Sequence, residues 1–248
     1  MIFEAMLELL DENKLMPYYA AERRIDLFIN LFLEKILTAY YRENVNFVVP
    51  EFPLKHKPNN QADKLDYLCA FDKTKQPIFI ELKTDSISFN REQARVYLKQ
   101  ATDWPSCIEG LKAIIGNKNM RFSYRKKYFH LMKRLLSAGL VGPSDEGTRE
   151  SVQWLTALAS RPSSPREKGE FSRYLIELSM YIHAHWNGEA KILYLVPHDD
   201  RLKEQIEDEC KGKASVLDFS QIESLPIGSD MSYAQEFRQL VKFLKTLK

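Results

Sequence analysis

Apolar residues recur along this chain with two periods, which predict helices and strands in a definite order. Over residues 20–41 they come three and four positions apart, as in an amphipathic helix. Residues 45–49 are rich in valine and predict a strand that stops near Pro50 and Pro53. A polar loop over 55–63 follows.

Two more apolar runs, at 64–71 and 78–83, predict strands joined by a turn at 72–77. Asn90 is a favourable residue to begin a helix, which we expect to run to about residue 101. Beyond it we predict helices at 107–115, 121–138, 149–159, 171–185, 200–210 and 232–247, and strands at 191–196 and 214–219.

The order of these elements predicts how the strands pair. Short loops connect the first three strands, which should form an antiparallel meander, whereas a helix separates the last two, which should be parallel. We therefore expect an α/β fold with a mixed sheet flanked by helices.

Composition excludes some classes of protein. The chain has 248 residues, 44% of them apolar, and a net charge of +2, so the charge of the whole chain does not indicate a polyanionic partner. Three cysteines without a Cys-x-x-Cys pair favour a reduced, cytoplasmic protein. No apolar run approaches the roughly 18 residues of a membrane span, so no membrane partner is expected.

Three charged residues lie where two predicted apolar strands end, namely Asp66, Glu81 and Lys83. A turn centred near residue 74 or 75 would place Asp66 opposite Lys83, with Glu81 on the same face. Two adjacent carboxylates repel each other, and a divalent cation such as Mg²⁺ or Mn²⁺ would remove that repulsion. For an isolated Glu-x-Lys, a surface ion pair across a hairpin is the alternative.

These residues resemble the motif of the PD-(D/E)xK, or restriction-endonuclease-like, nuclease superfamily. In that family an acidic residue on one strand precedes Glu-x-Lys on the next, and Leu65 stands here where the family name has proline. Gln93-Ala-Arg-Val-Tyr97 matches the Gln-x-x-x-Tyr motif of the recombination helicase–nuclease and exonuclease branch. The family also has a glutamate on the helix before the strands, for which Glu34 is the candidate.

The resemblance covers about residues 25–101, and the strand–helix–strand of 191–219 fits the rest of the family core. It implies a single nuclease-like domain over residues 1–248, with a core of about 20–101 and 171–248 and a helical insertion of about 102–170.

The resemblance also implies a metal-dependent deoxyribonuclease, a hydrolase of DNA phosphodiester bonds. Asp66, Glu81 and the backbone carbonyl of Leu82 would hold Mg²⁺ or Mn²⁺, and Lys83 would assist the attacking water. The expected catalytic set comprises Asp66, Glu81, Lys83, Glu34, Gln93 and Tyr97.

Several of these residues have simpler explanations. Gln93 could close a capping box with Asn90, and Tyr97 could be a core aromatic. Glu34 could be solvated at the edge of its helix, and Glu51 is a second candidate for its role.

The segment from Leu111 to Pro143 contains no aspartate or glutamate but many basic residues interleaved with aromatics. Phosphate contacts and base stacking use these residue types, although a solvated helix face is the alternative. The expected nucleic-acid-binding residues are Lys118, Arg121, Tyr124, Arg125, Lys126, Tyr128, Lys133 and Arg134.

Two other functions stay open at this point. One is a nucleic-acid-binding protein of the same fold that does not cut, and the other is an interaction domain whose acidic cluster is structural. The strandedness and sequence preference of the substrate, endo- or exonuclease action, the pathway and the oligomeric state, a homodimer included, are also left open.

Overall fold

The computed structural model of the protein describes residues 6–7, 22–54, 63–85, 87–143, 146–160, 164–227 and 234–246. The strands are β1 (Val45–Leu54), β2 (Asp63–Phe71), β3 (Pro77–Leu82), β4 (Val141–Gly142), β5 (His183–Ala184), β6 (Lys191–Val196) and β7 (Ser215–Asp218). The helices are α1 (Glu22–Tyr41), α2 (Arg91–Ala101), α3 (Trp104–Ile115), α4 (Phe122–Ser137), α5 (Glu146–Ala159), α6 (Pro165–Tyr181), α7 (Asp200–Cys210), α8 (Phe219–Ile222) and α9 (Ala234–Leu244).

Within the described residues, the main sheet has five strands in the order β1-β2-β3-β6-β7. The first three pair antiparallel, and β3, β6 and β7 pair parallel. The predicted α/β fold with a mixed sheet is thus confirmed, and so is the predicted direction of its strands. Because parallel strands end together, the carboxyl ends of β3, β6 and β7 meet at one edge of the sheet.

Helices cover both faces of the sheet. On one face, Ile29 and Leu33 of α1 and Leu240 of α9 share a buried cluster with Ile80 of β3. On the other, Tyr97 of α2, Trp104 of α3 and Phe129 of α4 pack in a cluster with Phe79 of β3. The helices of the expected insertion thus share a core with the sheet.

The structure differs from the predicted elements in a few places. β1 continues through Pro50 and Pro53 to Leu54, which is tolerated because β1 is an edge strand among the described residues. The helix predicted to reach residue 185 ends at Tyr181, and β5 then pairs with β4. Most of the loop predicted over 55–63 lies outside the described residues, although Asp63 itself belongs to β2.

The part of the chain that the structure describes contains no helix long and apolar enough to cross a membrane.

Candidate active site

The hairpin of β2 and β3 sets the positions of Asp66 and Glu81. Tyr67 pairs with Ile80 and Cys69 with Ile78, so the next step of the ladder brings Asp66 beside Glu81. The expectation that Asp66 would lie opposite Lys83 was wrong by two residues.

The turn of this hairpin explains the difference. The Phe71 N–H donates to the Gln76 carbonyl oxygen (3.1 Å), and Lys75 adopts a left-handed conformation (φ 59°), so the turn closes earlier than predicted. The observed register differs from the predicted one by two residues. Because strand side chains alternate between faces, a shift of two leaves Asp66 on the same face as Glu81.

The Asp66 carboxylate is tied to the end of β3. Its Oδ2 atom accepts a hydrogen bond from the Leu82 N–H at 2.7 Å. Because the N–H and C=O of a strand residue point to the same side of the strand, the Leu82 carbonyl also points toward β2. Asp66, Glu81 and this carbonyl form one group of oxygen donors.

The Glu81 carboxylate is buried, and both of its oxygens are paired. The Nζ atom of Lys83 lies 2.7 Å from Oε1, and the Tyr97 hydroxyl lies 2.8 Å from Oε2. Glu81 and Lys83 are 2% and 4% exposed. A buried charge requires such partners, because desolvation without them is costly.

Helix α2 carries Gln93 and Tyr97 to this carboxylate. The Asn90 side chain accepts hydrogen bonds from the N–H groups of Glu92 and Gln93 and so begins the helix. The Gln93 amide donates to the Tyr97 hydroxyl, which also lies 2.7 Å from the Lys64 carbonyl oxygen. The side chain of Gln93 therefore contacts the site, and the sequence motif joins residues that meet in space.

Both carboxyl groups have raised pKa values, chiefly because they are buried. Burial, together with the negative charge of Asp66, raises the pKa of Glu81 to about 7, although Lys83 and Tyr97 act in the opposite direction. Burial also raises the pKa of Asp66, despite its hydrogen bond from Leu82 and the nearby Lys83. A positive charge placed between the carboxylates would stabilise their ionised forms and so lower their pKa values.

The donor set fits Mg²⁺ or Mn²⁺. These cations take oxygen ligands, and Mg²⁺ is commonly bound by one or two carboxylates with waters completing its shell. Within the described residues, no group of three or more histidine, cysteine, aspartate and glutamate side chains is placed to hold a metal ion. A cation here would therefore depend on Asp66, Glu81, the Leu82 carbonyl and water.

The structure does not bring Glu34 to this group. Its Oε1 atom accepts from the Phe47 N–H at 2.7 Å, where α1 faces the start of β1. Among the described side chains of α1, Asp26 lies near enough for its charge to contribute to the raised pKa of Asp66. Glu51, the other candidate, forms an exposed ion pair with Lys64 (2.9 Å).

Sequence reasoning missed Asp26. Both Asp26 and Glu34 adjoin the apolar stripe of α1, about two helical turns apart. Which of them approaches Asp66 depends on how far the helix extends past the strands, and hydrophobic periodicity does not specify this.

Arg125 is not placed to contact phosphate, and that prediction is corrected. It is 5% exposed, and its guanidinium donates to the carbonyl oxygens of Ile115 (3.0 Å) and Asn117 (2.8 Å). These carbonyls lie at and just beyond the carboxyl end of α3, where backbone acceptors lack helical partners. Arg125 therefore joins α4 to α3.

The remaining predicted basic and aromatic residues divide between two sides of α4. Lys126 lies over the Phe122 ring at 6.0 Å, and Lys133 Nζ lies 3.4 Å from the Thr156 hydroxyl of α5. Lys118 and Arg121 are exposed in the segment before α4.

Tyr124, Tyr128 and Arg134 lie on the side of α4 that faces α1, where they line a cleft. This α1–α4 cleft has a volume of about 510 Å³ and lies along β1 between the two helices. Lys127 of α4 also lines it.

The α1–α4 cleft adjoins the acidic group. Asp26 of α1 lines it, and so do Lys64 and Tyr67, which flank Asp66 on β2. The Tyr67 hydroxyl donates to the Asp26 carbonyl oxygen (3.1 Å), which ties α1 to this strand.

No protein-family model, curated protein or solved structure matches this chain. The resemblance to restriction-endonuclease-like nucleases therefore rests on Asp66, Glu81, Lys83, Gln93 and Tyr97 and on the order of the elements around them.

A second polar cluster lies where β6 and β7 end, and the sequence did not reveal it. Asp218 is buried, its carboxylate accepts from Lys203 Nζ (2.6 Å), and it lies 2.6 Å from Nδ1 of His198. Burial raises the pKa of Asp218, but the hydrogen bonds from Lys203, His198 and Ser220 lower it to about 2. Asp218 also caps α8, so the cluster fixes the connection after β7.

Proposed function

We propose that this protein is a metal-dependent nuclease that hydrolyses phosphodiester bonds of DNA. The observation that carries the proposal is the meeting of Asp66 and Glu81, with Lys83 and Tyr97 on the second carboxylate, at the end of two central strands. Two adjacent buried carboxyl groups with raised pKa values are typical of functional sites, and a cation would favour their ionised forms. Lys64, Lys127 and Arg134 line the adjacent cleft with Asp26 and Glu51, and these three cations could contact a polyanion.

Each residue of the group has a chemical role in this proposal. Asp66, Glu81 and the Leu82 carbonyl would hold the cation. When bound, Mg²⁺ would lower the pKa of a coordinated water and offset charge on the phosphoryl oxygens. The Lys83 ammonium would stabilise negative charge that develops on the same oxygens.

Gln93 and Tyr97 would act on Glu81. The hydrogen bond from the Tyr97 hydroxyl fixes one carboxylate oxygen, and the amide of Gln93 fixes the hydroxyl. These two hydrogen bonds hold the Glu81 carboxylate in one orientation and favour its ionised form, which a cation requires.

Cleavage of labelled single-stranded and duplex DNA, with Mn²⁺ or with a chelator, tests the proposal. The wild type should cut in Mn²⁺ alone, and Asp66→Ala, Glu81→Ala and Lys83→Ala should each abolish cutting. Their combination should cost no more than one of them, because the residues act as a unit. Asp72→Ala, at the opposite end of the hairpin, is the matched control and should cut normally.

The alternatives give different results. A protein that binds DNA without cutting would retain DNA in the chelator and never release fragments. An interaction domain with a structural acidic cluster would bind neither Mn²⁺ nor DNA. Cleavage that persists in Asp66→Ala or Lys83→Ala would place the chemistry elsewhere.

A further inference from the structure

The α1–α4 cleft combines aromatic rings with cations. Tyr124 and Tyr128 lie one turn apart on α4 and face it together, and Tyr124 is 52% exposed. Lys127 and Arg134, on the same side of the helix, are also exposed. The Lys127 ammonium lies 5.5 Å from the Tyr124 ring, so charge and ring form one surface.

This chemistry fits a single nucleic acid strand. Proteins hold single strands by stacking bases on aromatic side chains while cations follow the backbone. In a duplex the base faces are covered by their neighbours, so rings in a cleft cannot stack on them. A cleft of about 510 Å³ lies in the range of pockets that hold small ligands, which is a suitable size for a nucleotide unit.

The position of the cleft connects it with the acidic group. Lys64 and Tyr67 line the cleft, and Asp66 lies between them on β2. Asp26, which also lines the cleft, is close enough to affect the ionisation of Asp66. A strand lying in the cleft would pass next to Asp26 and Lys64.

We propose that the α1–α4 cleft binds single-stranded nucleic acid, with bases on Tyr124 and Tyr128 and phosphates on Lys127 and Arg134. The inference deepens the proposed function, on which it rests for the delivery of the strand to Asp66. Binding itself does not require the reaction.

Helix α4 offers a matched control for this surface. Lys127 and Arg134 face the cleft, whereas Lys126 and Lys133 face Phe122 and Thr156 on the other side. The pairs Lys127→Gln with Arg134→Gln and Lys126→Gln with Lys133→Gln remove equal charge from one helix. A general effect of net charge would act equally on both.

The test is the fluorescence anisotropy of a labelled oligothymidylate and of a duplex of the same length, measured in chelator over a series of salt concentrations. The wild type should bind the single strand more tightly than the duplex. The cleft pair should reduce the log–log salt slope on the single strand by about 1.4, at about 0.7 for each lost phosphate contact. The control pair should keep the wild-type slope.

The tyrosines provide a second, uncharged test. Tyr124→Ala and Tyr128→Ala should each weaken binding about five-fold or more, while Tyr124→Phe and Tyr128→Phe retain it, since phenylalanine also stacks. Melting temperatures of all variants establish that they are folded, and Arg134→Lys should restore the slope that Arg134→Gln loses.

The inference is overturned if the duplex binds as tightly as the single strand, or if the control pair loses as much slope as the cleft pair. Its failure differs from failure of the proposed function, because binding is measured without metal. Single-strand binding with no cleavage in Mn²⁺ would refute the nuclease and keep the cleft. Duplex cleavage without single-strand binding would support the nuclease and refute the proposed role of the cleft.

Discussion

The Nζ atom of Lys83 lies 2.7 Å from Oε1 of Glu81 in a place where neither side chain meets solvent. When Asp66, Glu81 and Lys83 are all ionised, together they carry one negative charge. A divalent cation would turn this into one positive charge, which complements the single negative charge of a phosphodiester. Lys83 thus sets the charge of the group so that the cation, once bound, attracts the substrate.

Metal binding should stabilise the fold. A ligand of the native state raises the melting temperature as its concentration increases, and at 100 times the dissociation constant the gain is about 2.7 kcal/mol. Thermal melts with titrated Mn²⁺ should therefore move upward for the wild type and for the control Asp72→Asn, but not for Asp66→Asn. Equal shifts in all three proteins would mean that the metal binds elsewhere.

Without metal, stability should fall as pH rises from about 4.5 to about 7. The ordinary pKa of Glu81 is 4.5 and its folded pKa is about 7, so in this window the native state binds more protons than the unfolded state. Raising the pH then favours unfolding, by up to about 3 kcal/mol over the window. Urea denaturation across this range measures the effect, and Glu81→Gln should make the curve less steep, while the raised pKa of Asp66 leaves a smaller slope. Parallel curves for variant and wild type would contradict the assignment.

Tyr97→Phe should shift the pH at which Mn²⁺ binds to higher values. The hydroxyl donates to Glu81 and lowers its pKa, so its loss leaves the carboxylate protonated to a higher pH. Gln93→Ala should produce a smaller shift in the same direction. Mn²⁺ titrations at several pH values measure the midpoint. A purely structural role predicts a lower melting temperature with an unchanged midpoint.

Asp26 and Glu34 should behave differently. Asp26→Asn removes a charge that raises the pKa of Asp66, so the pKa of Asp66 should fall. Glu34→Gln loses charge at the Phe47 N–H and should lower the melting temperature while Mn²⁺ binding stays normal. NMR titration of Asp66 and Mn²⁺ binding on the same preparations separate the two. Loss of Mn²⁺ binding in Glu34→Gln would restore the sequence-based expectation.

Arg125→Gln should reduce the free energy of unfolding by about 1–3 kcal/mol, because buried carbonyls of α3 lose their donors. Single-strand binding by the folded variant should equal that of the wild type. A smaller salt slope for the variant would instead show that Arg125 contacts phosphate.

The fold was largely predictable because hydrophobic period and loop length determine element type and strand direction. The grouping of the side chains in the candidate site was predictable, because Glu81 and Lys83 share a face of one strand and Gln93 and Tyr97 share a face of one helix. The register of the hairpin was not, because it depends on the conformation of Lys75 in the turn.

The contacts that side chains make from a helix were the hardest feature to predict. Arg125 and Lys127 are two residues apart on α4 in the same basic run, yet one is buried against α3 and the other faces the cleft. The sequence composition does not distinguish these two basic residues. The packing of α4 on its neighbours determines which one is buried. For the same reason the sequence pointed to Glu34, whereas in the structure it is the charge of Asp26 that acts on Asp66.

Pro50 and Pro53 have a consequence for how copies of this protein behave in concentrated solution. Among the described residues β1 is the outer strand beside the cleft, and an outer strand with a full row of N–H donors invites pairing with a strand of another molecule. Each proline lacks an N–H group, so a foreign strand could not build a continuous ladder there. The two prolines therefore make β1 a poor partner for strand pairing between copies of this protein.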